Sequence, residues 1–126
     1  MIQFPELRPL YDRLLNIGGT HVAPQPEPHL DRILKRGETF DGRGARLELM
    51  RVSRCHSNAA QLWGTDPERY RLATGWALSG DGIWRQHSWA LEGDRIVETT
   101  ERRKLYHGFR LTDAEEERFF TSNCEV

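Results

Sequence analysis

Cys55, His87 and Glu98 stand in that order in a chain of 126 residues, and together they could perform thiol chemistry. A cysteine attacks a carbonyl carbon as its thiolate. An imidazole can take the thiol proton and pass it to a leaving group, and a carboxylate can fix the imidazole's tautomer and stabilise its cation. Cys55 opens the stretch Cys55-His56-Ser57-Asn58-Ala59-Ala60-Gln61-Leu62-Trp63. Ser57 to Trp63 reads as a helix, with Ala59, Ala60, Leu62 and Trp63 as its buried positions. Cys55 then falls in the first turn, where unpaired backbone N–H groups and the helix dipole favour an anion. The N–H groups of Cys55 and His56 would be free to bind an oxyanion.

The other two residues need strands to carry them. Arg71 to Ser79, Ile83 to Leu91, Ile96 to Thr100 and Lys104 to Leu111 read as strands, with Gly80-Asp81-Gly82 a hairpin turn. If Gly93-Asp94 is a two-residue loop, Glu92 faces Arg95, and counting back sets Trp89 opposite Glu98. His87, Trp89, Glu98 and Thr100 then share one face, with His87 and Glu98 as diagonal neighbours. A three-residue loop would send Glu98 to the opposite face and separate the pair.

Upstream, Leu7, Leu10, Tyr11, Leu14 and Leu15 mark one face of a helix that begins near Arg8, with Pro9 in its first turn and Gly18-Gly19 at its end. Pro24, Pro26 and Pro28 make His21 to Pro28 an extended connection. A short helix follows from Pro28 to Arg36, stopped by Gly37. Gly37 to Gly44 reads as a loop, and Ala45 to Val52 fits either a strand or a lead into the next helix. Thr112-Asp113-Ala114-Glu115 is a capping box, opening a C-terminal helix that runs to about Phe120. No linker divides the chain. The expected architecture is one α+β domain, residues 1–126, with N-terminal helices packed on a small antiparallel β-meander.

Cysteine at a helix start, His87-Ser88-Trp89 on a strand and Glu98-Thr99-Thr100 on the next resemble the core of the papain-like and transglutaminase-like cysteine superfamily. There a Cys-bearing helix precedes a His-Ala-Trp strand and an Asp-Pro-Thr strand. The resemblance covers Arg54 to Thr100. It implies a papain-like or transglutaminase-like core and a thiol acyl-transfer site, with Cys55 as nucleophile, His87 as base and Glu98 as orienter. The chain departs from the pattern in carrying Glu for the commoner Asp. It also shows no clear upstream donor for the second half of an oxyanion hole, Gln25 being a distant candidate. The implied reaction is hydrolysis, deamidation or acyl transfer at an amide or acyl bond of a protein, peptide or small molecule. The competing reading is a binding module on the same scaffold, with a tryptophan-lined pocket for a peptide or small molecule.

Trp76 and Trp89 are the candidate cleft walls, although tryptophans on strands also pack cores. His56 diverges from Cys55 by ~100° around the helix, which makes it a substrate-side residue. Asn58, one turn on from the cysteine, either supports the site or extends the helix surface. Glu115-Glu116-Glu117 reads as a solvated face, and Cys124 is given no role. Net charge is −1, which argues against a nucleic-acid partner. No apolar run approaches the ~20 residues that span a bilayer, so no membrane partner is expected. Two cysteines and five scattered histidines show no metal-binding spacing, and no cofactor is expected. No leader of basic then apolar residues is visible, so the cytoplasm is the expected location.

Overall fold

Two long strands form the centre of the sheet in the computed structural model, which describes residues 3–124. In chain order the elements are α1 (Arg8–Ile17), β1 (His21–Val22), α2 (Leu30–Arg36), β2 (Glu38–Asp41), β3 (Arg46–Leu47), α3 (Cys55–Thr65), β4 (Arg71–Leu78), β5 (Ile83–Glu92), β6 (Arg95–Glu98), β7 (Leu105–Arg110) and α4 (Asp113–Asn123). The mixture of helix and strand is the expected α+β class. No helix among the described residues is long and apolar enough to cross a membrane.

The strand order is β2-β7-β4-β5-β6-β3, with β1 joined separately to β5. This corrects the expected meander. β6 is short and its outer edge is taken by β3 in parallel register, Arg46 beside Val97 and Leu47 beside Glu98. β7 instead returns to the open edge of β4, setting Gly75 opposite Gly108. A second correction concerns Gly37 to Gly44. Its Gly and Asp content signals only the turn at Gly42–Gly44, while Glu38–Asp41 is an edge strand on β7 with Phe40 turned inward.

Alternation gives the sheet two buried faces. Leu72, Trp76, Trp84, Ala90, Val97 and Phe109 face the helices and pack with Leu10, Leu14, Ile33, Ala59 and Trp63. Burying each of these aliphatic side chains contributes about 1.5–3 kcal/mol. On the other face Phe40, Trp89, Leu91, Ile96 and Tyr106 fill the inside of the curl. β4 offers only Ala73, Gly75 and Ala77 to that interior, and this leaves room for the rings borne by its neighbours. A Cβ on Gly75 would stand 2.3 Å from the His107 carbonyl oxygen, and one on Gly108 would stand 2.9 Å from the Trp89 ring. Glycine at both positions lets β4 and β7 approach closely enough to curl.

The strand pairing also leaves a break. On the edge of β5 away from β4, β1 pairs with Ile83–Trp84 and β6 pairs with Ala90–Glu92. Among the described residues, 85–89 have β4 as their only strand partner. His87 lies at the middle of that break, and α3 packs against β5.

α4 starts with the expected capping box, Thr112 accepting from the Glu115 N–H while Glu115 accepts from the Thr112 N–H. The reading of Glu115 to Glu117 as a solvated face is corrected for its first two residues, while Glu117 is exposed. Glu115 and Glu116 are buried, because Arg32 and Arg36 reach the first and Arg71 reaches the second.

Candidate active site

Cys55 is the first residue of α3, and no side chain caps that helix start. The first intrahelical bond runs from the Asn58 N–H to the Arg54 carbonyl, so the N–H groups of Cys55, His56 and Ser57 precede the ladder. Ser53, two residues before Cys55, takes a left-handed φ of 60°. Asn58 braces this approach from within: its Nδ2 donates to the Arg51 carbonyl at 2.7 Å, and its Oδ1 accepts from the Arg51 N–H at 3.3 Å. Asn58 is buried and lines no cleft. Its place is behind the cysteine, not on the substrate side.

The turn after β5 decides the position of Glu98. Glu92 pairs with Arg95 across a two-residue loop, with Gly93 at φ 63°. The register therefore puts Glu98 on the same face as His87, and His87 Nε2 donates to Glu98 Oε1 at 2.8 Å. Both side chains are essentially inaccessible. Tyr106 donates to the same oxygen at 2.6 Å. The other oxygen, Oε2, accepts from the Thr100 N–H at 2.8 Å and from Thr100 Oγ1 at 2.9 Å. Arg103 Nη2 donates to Thr100 Oγ1 at 3.0 Å, which commits the threonine proton to Glu98. Four donors thus occupy the four acceptor positions of one buried carboxylate.

The sulfur meets this chain through the break in the sheet. Cys55 is partly exposed, and it shares the lining of one cleft with His87 and His56, the two imidazoles that act on its thiol. With Nε2 of His87 committed to Glu98, its Nδ1 is the ring nitrogen left for the thiol. Burial would raise the Cys55 pKa, but the bonds and charges of the two imidazoles override it and bring the thiol to about 5. Burial would lower the His87 pKa, and its bonds to Cys55 and Glu98 raise it above the ordinary value. Burial would raise Glu98, and the His87 bond and charge, with Tyr106 and Thr100, bring it down to about 2. The three groups titrate as a unit, and near neutral pH the favoured charges are thiolate, imidazolium and carboxylate.

A cleft of about 890 Å³ opens onto Cys55, His56 and His87, with Gln25, Gln86, Arg85 and Arg103 in its walls. The pairing of β1 with β5 brings Gln25 here from far upstream. Its Oε1 accepts from the Gln86 N–H at 3.3 Å, which leaves the amide NH₂ as the end free to donate. No protein-family model matches the chain, and no curated protein or solved structure matches it significantly. What the site can do is therefore argued from its geometry.

Not every candidate residue reaches the cleft. Trp76 and Trp89 are fully buried on opposite faces of the sheet, and neither lines it. The Trp76 indole donates to Glu27 Oε1 at 2.9 Å, while Trp89 packs on Tyr106 with ring centroids 4.8 Å apart. Trp63 and Trp84 are buried too, so no tryptophan-lined pocket exists among the described residues. His56 does line the cleft, beside Cys55. Tyr106 and Arg103 are members of the site that sequence reasoning passed over. The signal for Tyr106 would have been inward alternation on the last strand, legible only once β7 is known to pair with β4, and Arg103, in the loop before that strand, gave none. No group of three or more His, Cys, Asp or Glu side chains among the described residues could hold a metal ion.

Proposed function

We propose that this protein is a small cysteine-dependent acyl-transfer enzyme, a hydrolase or acyltransferase acting on an amide or acyl bond, built on a papain-like or transglutaminase-like core. The observation that carries this reading is the meeting of Cys55 and His87 in one cleft, with the far side of that imidazole hydrogen-bonded to buried Glu98 at 2.8 Å. A merely structural cysteine has no use for a buried imidazole tied to a fully saturated carboxylate.

In the forward step the Cys55 thiolate attacks the substrate carbonyl carbon. The developing oxyanion is met by the Cys55 N–H and the Gln25 NH₂. The imidazolium of His87 gives its proton to the departing amine, the C–N bond breaks, and a thioester to Cys55 remains. A second nucleophile then attacks the thioester, its proton passing to an imidazole of the site, and the C–S bond breaks to return the thiolate. Glu98 holds the His87 ring so that Nδ1 faces sulfur, and stabilises the charge the ring carries between steps. The polar cleft suits a peptide or another polar amide, and a reducing cytoplasm keeps the thiolate competent.

The test uses p-nitrophenyl acetate as a generic acyl donor. The native chain should release a burst of nitrophenolate and carry one acetyl group on Cys55 by intact mass and peptide mapping. Cys55→Ala should lower the rate to the uncatalysed background with an unchanged melting temperature. Retained turnover in that variant would sink the proposal.

A further inference from the structure

Cys55 has two imidazole neighbours, and the chemistry above uses one. His56 Nδ1 lies 2.5 Å from Ser88 Oγ. Ser88 Oγ lies 2.8 Å from Thr74 Oγ1, and Thr74 Oγ1 donates to the His87 carbonyl oxygen at 3.4 Å. Ser88 and Thr74 are both buried. A hydroxyl has one proton to give. Either hydroxyl can donate in the Ser88–Thr74 contact, and Ser88 Oγ holds the His56 ring by Nδ1. With Nδ1 held by Ser88, Nε2 is the ring nitrogen left to act as a base. Phe119 of α4 packs edge-on to the ring with centroids 6.4 Å apart, which fixes it from the other side.

Cys55 and His56 also form a wall shared by two clefts. The second cleft, of about 360 Å³, lies between the start of α3 and the end of α4, with Ser57, Ser122 and Asn123 in its lining. His87 lines the main cleft and is absent from the lining of the second, whereas His56 lines both. A thiol acyl carrier needs two partners in turn, a donor that leaves and an acceptor that arrives. Here each has its own approach and its own imidazole.

We propose that the second cleft admits the acyl acceptor, a small polar nucleophile of which water is the smallest, and that His56 is the base that activates it. This rests on the thioester chemistry proposed above. The acceptor lone pair forms a bond to the thioester carbonyl carbon as its proton passes to His56 Nε2. The tetrahedral intermediate collapses, the C–S bond breaks with its electron pair going to sulfur, and the acylated acceptor departs. His56 then returns its proton to solvent, and His87, neutral since it protonated the leaving group, takes one up from solvent to restore the resting state. His87 serves the leaving group on the main-cleft side and keeps its tie to Glu98 throughout.

The experiment separates the two half-reactions on the full chain. The nitrophenolate burst from p-nitrophenyl acetate reads acylation, and loss of the acetyl group from Cys55 by intact mass reads deacylation in water. In His56→Gln, acylation should fall a few-fold, because the thiolate loses one partner, while deacylation should fall by about 100-fold, the scale of a lost general base. Ser88→Ala removes the group that holds His56 Nδ1 and should show the same bias toward deacylation at about 10-fold, which keeps the test open if the first variant folds poorly. Equal slowing of both steps, or slowing of acylation alone, would overturn the assignment of His56. Absence of any acetyl-Cys55 in the native chain would remove the thiol acyl reading itself, before His56 is altered.

Discussion

Glu98 and Glu115 are both buried carboxylates, and both sit well below the ordinary glutamate pKa, but their partners differ in kind. Glu115 is met by the guanidinium groups of Arg36 and Arg32 and by the Thr112 N–H. The charge of each arginine is permanent, so the carboxylate is spent on joining α2 to the start of α4. Glu98 accepts from a histidine, a tyrosine, a hydroxyl and a backbone N–H. The nearest guanidinium, that of Arg103, reaches it only through the Thr100 hydroxyl. The one partner of Glu98 that can become cationic is therefore His87. A buried carboxylate clamped by arginines builds structure. One surrounded by neutral donors and a single imidazole sets the charge of that imidazole, and through it the charge of the sulfur beyond.

Glu98→Gln should produce the largest effect. Without the carboxylate, the buried His87 becomes neutral and the Cys55 thiol loses its main cation. Acylation should fall by about 10³-fold or more, the scale seen when a triad carboxylate is replaced by its amide. Alkylation by iodoacetamide measures the thiolate directly. In the native chain its rate should rise with pH through about 5, rather than through the ~8.5 of a free thiol. In Glu98→Gln the midpoint should move up by several units, lowering the rate at pH 6 by about 100-fold, since each unit is worth a factor of ten. Stability follows the opposite limb. Glu98 is depressed to about 2, below its unfolded value, so the stability it contributes is present above pH ~4.3 and is lost as pH falls toward 2. An alkylation midpoint that stays near 5 in the amide variant would break the contrast with Glu115.

Glu115→Ala is the matching change at the structural carboxylate, with a smaller expected effect on a different observable. It removes the capping-box acceptor of the Thr112 N–H and leaves Arg32 and Arg36, each more than a third exposed, to be solvated. The cost should be about 1–3 kcal/mol of stability, a fall of several degrees in Tm. The alkylation midpoint of Cys55 should not move. A shift there would mean that α4 transmits to the site and that the two carboxylates are not separable.

Much of this contrast was legible before any coordinates. The order of Cys55, His87 and Glu98 placed the first on a helix start and the other two on adjacent strands, and Glu92-Gly93-Asp94-Arg95 offered the two-residue turn whose register brings those two together. The capping box of α4 was equally plain, because both its signals are local. What escaped depends on long-range pairing. Nothing within Leu105–Arg110 says that this strand returns to β4, and without that fact Tyr106 cannot be placed over Glu98. Gln25 stood in an extended proline-rich segment until its neighbours His21 and Val22 were seen to pair with β5. The tryptophans misled for a related reason. A strand buried on both faces has no solvent side on which an aromatic could wall a cleft. The acidic run of α4 misled because burial of Glu115 depends on arginines about 80 residues away.

Tyr106→Phe gives the finest resolution of the comparison. It deletes one of four donors to Glu98 and keeps the ring that packs on Trp89 and His87. Three donors remain, so the carboxylate stays ionised and His87 keeps its partner. The expected loss is about 1.5–3 kcal/mol of stability, the range for a hydrogen bond to a charged group. Acylation should slow by less than about 10-fold, and the alkylation midpoint should rise by less than one unit. The direction follows from the chain of contacts: a less stabilised Glu98 holds its proton more readily, which weakens the imidazolium and then the thiolate. Should the midpoint instead rise as far as in Glu98→Gln, the phenol and not the carboxylate would be the group that fixes the charge of the site. The division between structural and charge-setting carboxylates would then have to be redrawn around Tyr106.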